Sequence, residues 1–295
     1  MTQDLEQQIR AAGPVIDPPA AKALYAPLLR DAPRGGPVLR DIAYGLDERH
    51  RLDVYLPLGA PTPAPVVVFL HGGGFIRGDK AERDHVGHYF SRHGALAVLP
   101  NYRLGPRHRW PAGAEDVAAA LAWTRAHVAE HGGNPEHIVL AGESAGAAHV
   151  AAATLLRRFH PLEGLRIAGA YLASGVYNAE LELLARRQLG IATPDPRNEA
   201  YFGPDFASYR AMSTVAQIDA APFPLAISYA ELDPVQMQAQ AGELFARLVT
   251  RHGFQPQISV VAGHNHLSQV YSINTGDERL AGRMLAFVRN PQAAY

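Results

Sequence analysis

The run from residue 138 to residue 148 constrains the fold of this chain more than any other. It reads Ile-Val-Leu-Ala-Gly-Glu-Ser-Ala-Gly-Ala-Ala, so an apolar strand pattern breaks at Ser144 and continues as an alanine-rich helical pattern. Glycines two positions before and after a serine let neighbouring chains approach without a Cβ clash, which is typical of a sharp strand-to-helix corner that exposes the hydroxyl. With 27 glycines in 295 residues, composition predicts roughly 0.07 chance matches, so the motif needs partners elsewhere in the chain.

Composition excludes several classes of function. Lys and Arg number 27 against 28 Asp and Glu, a formal charge of −1, so electrostatics gives no reason to expect a nucleic-acid or membrane-surface partner. The chain has no cysteine, which excludes disulfides, thiolate metal sites and a cysteine nucleophile. The N-terminal residues show no basic segment followed by an apolar run, and no stretch approaches the roughly 20 apolar residues that span a bilayer. We therefore expect a cytoplasmic protein without membrane insertion.

Strand and helix patterns alternate along most of the chain, after an antiparallel hairpin. Strands are predicted at 38–44, 51–56, 66–70, 95–100, 138–143, 167–173, 225–229 and 257–261, and helices at 80–93, 112–130, 235–252, 278–289 and after the serine. Eight strands with intervening helices predict an α/β fold, with one mostly parallel sheet covered on both faces, as a single domain over 1–295. Residues 1–36 and the proline- and aromatic-rich stretch 178–213 fit no sheet layer, and we expect them to form a small helical cap.

A second motif, His-Gly-Gly-Gly-Phe at 71–75, directly follows the third strand. Consecutive glycines expose backbone amides that can surround a developing negative charge, and composition predicts only about 0.01 chance matches to His-Gly-Gly-Gly. We predict an oxyanion hole made by the backbone amides of Gly73, Gly74 and Ala145, with Gly72 shaping the loop. A phosphate cradle is the competing interpretation, but no Gly-Lys-Ser/Thr ending follows.

A serine hydroxyl needs a base, normally a histidine, that is oriented by a carboxylate. Asp233 directly follows the strand at 225–229 and is favoured over Glu231, two residues earlier. His264 and His266 both follow the last strand, so either could be the base. A zinc site at these two histidines is disfavoured, because no carboxylate cluster accompanies them. We therefore expect nucleophilic catalysis with no metal or organic cofactor.

Together, the motifs of this chain resemble those of the α/β-hydrolase superfamily, specifically carboxylesterases of the hormone-sensitive-lipase-like group. The shared motifs are His-Gly-Gly-Gly-Phe at 71–75, Asn101-Tyr102-Arg103-Leu104, Gly-Glu-Ser-Ala-Gly at 142–146, Asp233-Pro234 and Gly263-x-x-His266. In that group the histidine of Gly-x-x-His is catalytic, so the resemblance favours His266 over His264. It implies that a Ser144–His266–Asp233 triad hydrolyses a short- to medium-chain carboxylic ester, a small molecule, through an acyl-enzyme.

Two other function classes remain open. The scaffold also suits an amidase, formamidase or peptidase, and a non-catalytic ligand-binding relative is the remote alternative, although such relatives typically lose the serine or the histidine. Glu143 is expected to support the serine from below without entering the reaction. The oligomeric state is open, with a homodimer among the options. Apolar side chains near strand ends are predicted to line the substrate pocket, namely Phe75, Ile76, Trp110 and Tyr177.

Overall fold

A computed structural model of the chain describes residues 1–59, 63–188 and 196–292. Eight strands form one sheet in the order β1-β2-β4-β3-β5-β6-β7-β8. The strands are β1 (Val38–Ala43), β2 (Arg51–Tyr55), β3 (Ala64–Leu70), β4 (Leu96–Pro100), β5 (Gly133–Glu143), β6 (Gly169–Ala173), β7 (Leu225–Leu232) and β8 (Gln257–Asn265). Strand β2 pairs antiparallel with β1 and β4, and every other neighbouring pair is parallel. This confirms the predicted eight-stranded, mostly parallel sheet.

Helices cover both faces of the sheet. They are α1 (Gln3–Ala12), α2 (Pro18–Arg30), α3 (Asp84–Arg92), α4 (Ala112–His127), α5 (Ala145–Leu155), α6 (Ala179–Gln188), α7 (Pro196–Phe202), α8 (Tyr209–Met212), α9 (Val235–His252), α10 (Ser268–Tyr271) and α11 (Ala281–Arg289). Helices α4, α5 and α9 contribute to the apolar core on one face, and α3 and α11 contribute to the core on the other. No helix of the described residues combines the length and hydropathy needed to cross a lipid bilayer.

The central strands are apolar throughout because both of their faces are buried. In β3, Val66, Val68 and Leu70 belong to one core while Val67 and Phe69 belong to the other, and all five are at most 1% exposed. A continuous apolar run is the pattern expected of a parallel strand that helices cover on both sides. The carboxyl ends of these parallel strands therefore meet at one edge of the sheet, where polar side chains can converge.

The predicted elements differ from the observed ones mainly at their ends. The helix predicted at 80–93 is a 3₁₀ turn at Lys80–Arg83 that continues as α3, because Asp79 caps the amide of Ala81 and starts a tighter turn. The predicted strand at 257–261 extends to Asn265. The last helix begins at Ala281 rather than at 278. None of these differences moves a strand within the sheet.

The first 36 residues form two helices that pack against the end of the chain. Helix α1 packs against β8 and α2 against α10, and Leu5, Ile9, Tyr25 and Tyr271 form a small separate core there. The stretch 178–213 contains α6, α7 and α8, and its residues 189–195 lie outside the described part of the chain. The grouping of both segments as one cap stays a prediction.

Candidate active site

Ser144 occupies a strained corner between β5 and α5. Its backbone has φ 49° and ψ −119°, a conformation that costs a non-glycine residue of order 1–3 kcal/mol. The flanking glycines are required by close backbone approach. A Cβ at Gly142 would lie 2.6 Å from the carbonyl carbon of Gly146, and a Cβ at Gly146 would lie 2.3 Å from the carbonyl oxygen of Leu70. The Gly-x-Ser-x-Gly pattern is therefore a steric requirement of this corner.

The three side chains predicted as a triad lie in hydrogen-bonded contact. His266 follows the end of β8 and Asp233 follows the end of β7, as the carboxyl-edge arrangement requires. The Nε2 atom of His266 lies 2.9 Å from Ser144 Oγ, and its Nδ1 atom lies 2.6 Å from Asp233 Oδ1. Because the carboxylate accepts from Nδ1–H, Nε2 carries the lone pair that can accept the serine proton.

The second carboxylate oxygen of Asp233 is also occupied. Its Oδ2 accepts from Ser174 Oγ at 2.5 Å and from the backbone amide of Ala230 at 2.8 Å. Ser174 lies just beyond β6, is 1% exposed and accepts in turn from Gln269 Nε2 at 2.6 Å. Sequence reasoning missed Ser174 and Gln269. The only available signal for Ser174 was its position directly after a strand, in Ala173-Ser174-Gly175.

Both rivals of the triad residues have partners elsewhere. His264 is fully buried, with Nδ1 3.1 Å from Ser268 Oγ and Nε2 3.3 Å from Asp277 Oδ2. Glu231 pairs with Arg10 at the protein surface, at 2.9 Å. Neither of the two side chains contacts Ser144. In the described part of the chain, His, Asp and Glu side chains form no group of three or more that could hold a metal ion.

The glycine loop after β3 has a backbone conformation that leaves amide groups free to bind a ligand. Gly73 has φ 140° and Gly74 has φ 59°, values that favour glycine. A Cβ at Gly73 would lie 1.9 Å from the carbonyl oxygen of Arg77, so a side chain cannot be accommodated there. Among the described residues, the amides of Gly73, Gly74 and Ala145 donate to no other protein group. These three predicted donors are therefore available to a ligand.

A cavity of about 490 Å³ lies above Ser144. The N-terminal helices, the 178–213 stretch and the body of the protein all contribute to its wall, through Ile16, Pro18, Pro19, Lys22, Glu182, Arg197, Asn198, Met237, Leu267 and Tyr271 among others. Of the predicted pocket residues, Phe75 lines this cavity and Ile76, Trp110 and Tyr177 do not. The Trp110 ring packs against the rings of Tyr201 and Phe202, and the buried Tyr177 hydroxyl accepts from the Gly175 amide.

Comparison with known proteins identifies the family. A family model described as the alpha/beta hydrolase fold matches residues 67–269. The chain belongs to the α/β-hydrolase fold family. A probable isoprenylcysteine alpha-carbonyl methylesterase of Arabidopsis thaliana is 38% identical over 121 residues, covering 41% of this chain and 25% of that protein. A carboxylesterase of Mycobacterium tuberculosis is 43% identical over 94 residues, covering 32% and 30% of the two chains. The match thus spans less than a third of either relative.

Solved structures show that the α/β-hydrolase fold extends over nearly the whole chain. A bacterial heroin esterase superposes with a TM-score of 0.75 at 24% identity, covering 97% of this chain and 96% of that one. An esterase of Pyrobaculum calidifontis gives a TM-score of 0.74 at 24% identity, covering 98% of both chains. At this level of identity the likeness concerns architecture. It confirms the fold that the sequence patterns predicted.

A buried ion pair lies beneath Ser144 in this α/β hydrolase. Glu143 is 3% exposed, and its Oε1 accepts from Arg83 Nε and, at 3.0 Å, from the Gly72 amide. The guanidinium of Arg83 lies 4.8 Å above the ring of Tyr271. Burial by itself raises the pKa of Glu143, but the charge and hydrogen bond of Arg83 outweigh it and lower that pKa below its ordinary value. Glu143 thus joins the serine corner to the glycine loop.

Glu143→Gln is expected to reduce the free energy of unfolding by about 3–5 kcal/mol at pH 7, because it leaves Arg83 buried without a counter-charge. The pKa of Glu143 is lower in the folded than in the unfolded protein. Its contribution to the free energy of unfolding is therefore complete above the unfolded-state pKa near 4.5, and it is lost as the pH falls through the folded-state pKa. Urea denaturation at pH 7 and at pH values below 4.5 measures both effects.

The matched control is Glu82→Gln. Glu82 is an exposed neighbour whose carboxylate has no ion pair among the described residues, and its replacement should change stability by no more than about 0.5 kcal/mol. Equal stabilities of the two variants at pH 7 would contradict the assigned role of the Arg83–Glu143 pair.

Proposed function

We propose that this α/β hydrolase is a serine carboxylesterase that cleaves short- to medium-chain carboxylic esters through an acyl-enzyme. The observation that carries the proposal is the position of His266, with Nε2 2.9 Å from Ser144 Oγ and Nδ1 2.6 Å from Asp233 Oδ1. The names of the curated relatives, a methylesterase and a carboxylesterase, favour ester hydrolysis as the reaction. No residue beyond this triad and the backbone amides is needed for the chemistry.

Acylation begins when a substrate carbonyl carbon reaches Ser144 Oγ. His266 Nε2 accepts the hydroxyl proton as the oxygen attacks, and the Asp233 carboxylate stabilises the imidazolium that forms. The carbonyl oxygen becomes an oxyanion, which the amides of Gly73, Gly74 and Ala145 bind. Ala145 is the first residue of the 11-residue helix α5, so the positive end of that helix adds to this stabilisation.

Breakdown of the tetrahedral intermediate releases the alcohol. The imidazolium of His266 donates its Nε2 proton to the leaving oxygen, the C–O bond breaks, and the acyl group stays on Ser144 as an ester. Water then enters, and His266 takes a proton from it as the oxygen attacks the acyl carbon. The proton returns to Ser144 Oγ when the carboxylic acid leaves, which restores the starting state.

The substrate proposed here is a small molecule held beneath a cap of residues 1–36 and 178–213. Side chains of both segments line the cavity, which supports their assignment to one cap. A volume of about 490 Å³ is typical of small-molecule sites. It accommodates an acyl chain of a few carbons together with an aromatic or aliphatic alcohol.

A panel of p-nitrophenyl esters from acetate to dodecanoate tests this proposal, together with matched anilides and an aryl formamide. We expect kcat/KM to be highest for short and medium acyl chains, as the proposal states, and far lower for the matched anilides. Preferred cleavage of the anilides or the formamide would instead place this protein among amidases. Absence of turnover on every substrate, with Ser144 unreactive towards an organophosphonate probe, would contradict serine catalysis altogether.

A further inference from the structure

Ser174 lies at the strand end between the nucleophile and the acid. Strand β6 pairs with β5, which leads into Ser144, and with β7, which leads into Asp233. The backbone there is fixed from both sides, because the Ser144 amide donates to the Ala173 carbonyl and the Ser174 amide donates to the Ser228 carbonyl, each at 2.8 Å. Ser174 itself has φ 48°, a strained value for a residue with a side chain. That conformation directs its hydroxyl at Asp233.

The surrounding groups fix the direction of each hydrogen bond. Gln269 Nε2 lies 3.2 Å from the carbonyl oxygen of His266 and 2.6 Å from Ser174 Oγ. A carbonyl only accepts, so the side-chain nitrogen of Gln269 must face it and can also donate to Ser174. Ser174 Oγ therefore uses a lone pair for Gln269 and gives its single hydrogen to Asp233 Oδ2, 2.5 Å away.

The Asp233 carboxylate is held in place by hydrogen bonds from neighbouring donors. Asp233 is 1% exposed, and among the described residues no Lys or Arg side chain forms an ion pair with it. Burying a polar group without hydrogen bonds is costly, so a carboxylate at this depth needs donors in place of water. It receives three, from His266 Nδ1, Ser174 Oγ and the Ala230 amide. Of these three donors, only the Ser174 hydroxyl can be removed by substitution while the imidazole and the backbone amide stay in place.

We infer that Ser174, oriented by Gln269, is a positioning residue that holds the Asp233 carboxylate in the plane needed by His266. The inference rests on the proposed function, since it assigns Ser174 a role within the same triad. Ser174 does not line the cavity, and its hydroxyl bonds to Asp233 and Gln269 rather than to Ser144 or the imidazole of His266. It acts by fixing the orientation and the charge distribution of the carboxylate, so that Oδ1 faces His266 throughout the reaction.

Ser174→Ala is expected to lower kcat about 10- to 100-fold with KM little changed, because a loosened carboxylate misplaces the imidazole. The acid limb of the pH profile of kcat/KM should move upward. With one donor fewer, more negative charge remains on Oδ1, which stabilises the protonated form of His266. A general loss of stability would not move this limb.

Two further variants keep the test decisive if Ser174→Ala folds poorly. Ser174→Gly removes the same hydroxyl but relieves the strained φ, so it should be at least as stable as Ser174→Ala and show the same kinetic defect. Gln269→Leu keeps the Ser174 hydroxyl but removes the side-chain amide that donates to it. Compared with Ser174→Ala, this variant should change kcat and the acid limb of the pH profile in the same direction but by a smaller amount. The matched control is Ser91→Ala. Its buried hydroxyl joins the Gly36 amide to the Leu56 carbonyl and does not line the cavity, so only its stability should change.

The His266 Nδ1 proton provides a readout that does not depend on turnover. In the proton NMR spectrum its low-field resonance reports the hydrogen bond to Asp233, and we expect it to shift in both Ser174 variants and to stay unchanged in Ser91→Ala. The inference would be overturned if both Ser174→Ala and Ser174→Gly fold and show the kcat, the acid limb and the Nδ1 proton resonance of the wild type. An absence of wild-type ester turnover would overturn the proposed function, while the NMR comparison would still decide the role of Ser174.

Discussion

Ser144→Ala is expected to lower kcat for a short aryl ester about 10⁶-fold, the scale seen when a triad nucleophile is removed. Without Oγ no acyl-enzyme forms, and the residual rate comes from the oxyanion donors and binding alone. The variant keeps Cβ and therefore keeps the strained φ of 49°, so its thermal stability should stay close to that of the wild type. Initial rates and the pre-steady-state burst of alcohol release measure the loss.

The control for this variant is again Ser91→Ala, which removes a buried serine hydroxyl far from the cavity. It should keep its burst amplitude and its kcat. If Ser144→Ala retained more than a few per cent of wild-type activity, the nucleophile would have to be another group, and the hydrolytic mechanism proposed for this chain would be wrong.

His266→Ala is expected to reduce kcat by a factor similar to that of Ser144→Ala, whereas His264→Ala should retain most of the activity. Nucleophile and base act as a unit, so losing either one costs about as much as losing both. The double variant Ser144→Ala/His266→Ala should therefore be no slower than either single variant. Steady-state kinetics on one aryl ester compares all four proteins.

His264→Ala should instead reduce stability, because it leaves buried Asp277 without its neighbour at 3.3 Å. We expect a loss of about 1–3 kcal/mol in the free energy of unfolding, measured by urea denaturation. The reverse pattern, with His264→Ala inactive and His266→Ala active, would contradict the geometry on which the base assignment rests.

The sequence predicted the arrangement of the site well because parallel strands impose it. Once Ser144, Asp233 and the two histidines are placed after successive strands, their meeting at the carboxyl edge follows from the topology. Residue-level reasoning alone did not separate His264 from His266, which are only two positions apart. The resemblance to the hormone-sensitive-lipase-like group favoured His266, and the observed contact with Ser144 agrees with that choice.

Other features depend on contacts that no local pattern encodes. Arg83 pairs with Glu143 across 60 residues, and Gln269 reaches Ser174 across 95. Both pairs bury polar groups, which composition and periodicity assign to the surface by default. The cavity wall was difficult to predict for a related reason. Proximity to a strand end does not fix the direction of a side chain, which is why the prediction fails for Ile76, Trp110 and Tyr177, none of which lines the cavity.

Three non-glycine residues around the reacting centre, namely Phe75, Ser144 and Ser174, have backbone φ angles between 48° and 70°. An engineer seeking heat tolerance would choose glycine at such positions, since each replacement relieves strain of order 1 kcal/mol or more. Here, however, glycine at position 75 would remove part of the cavity wall. Glycine at position 144 would remove the proposed nucleophile, and glycine at position 174 would remove the hydroxyl that donates to Asp233. Thermostabilising substitutions that leave the candidate site intact should therefore be sought away from the carboxyl edge of the sheet, where backbone strain and the site residues coincide.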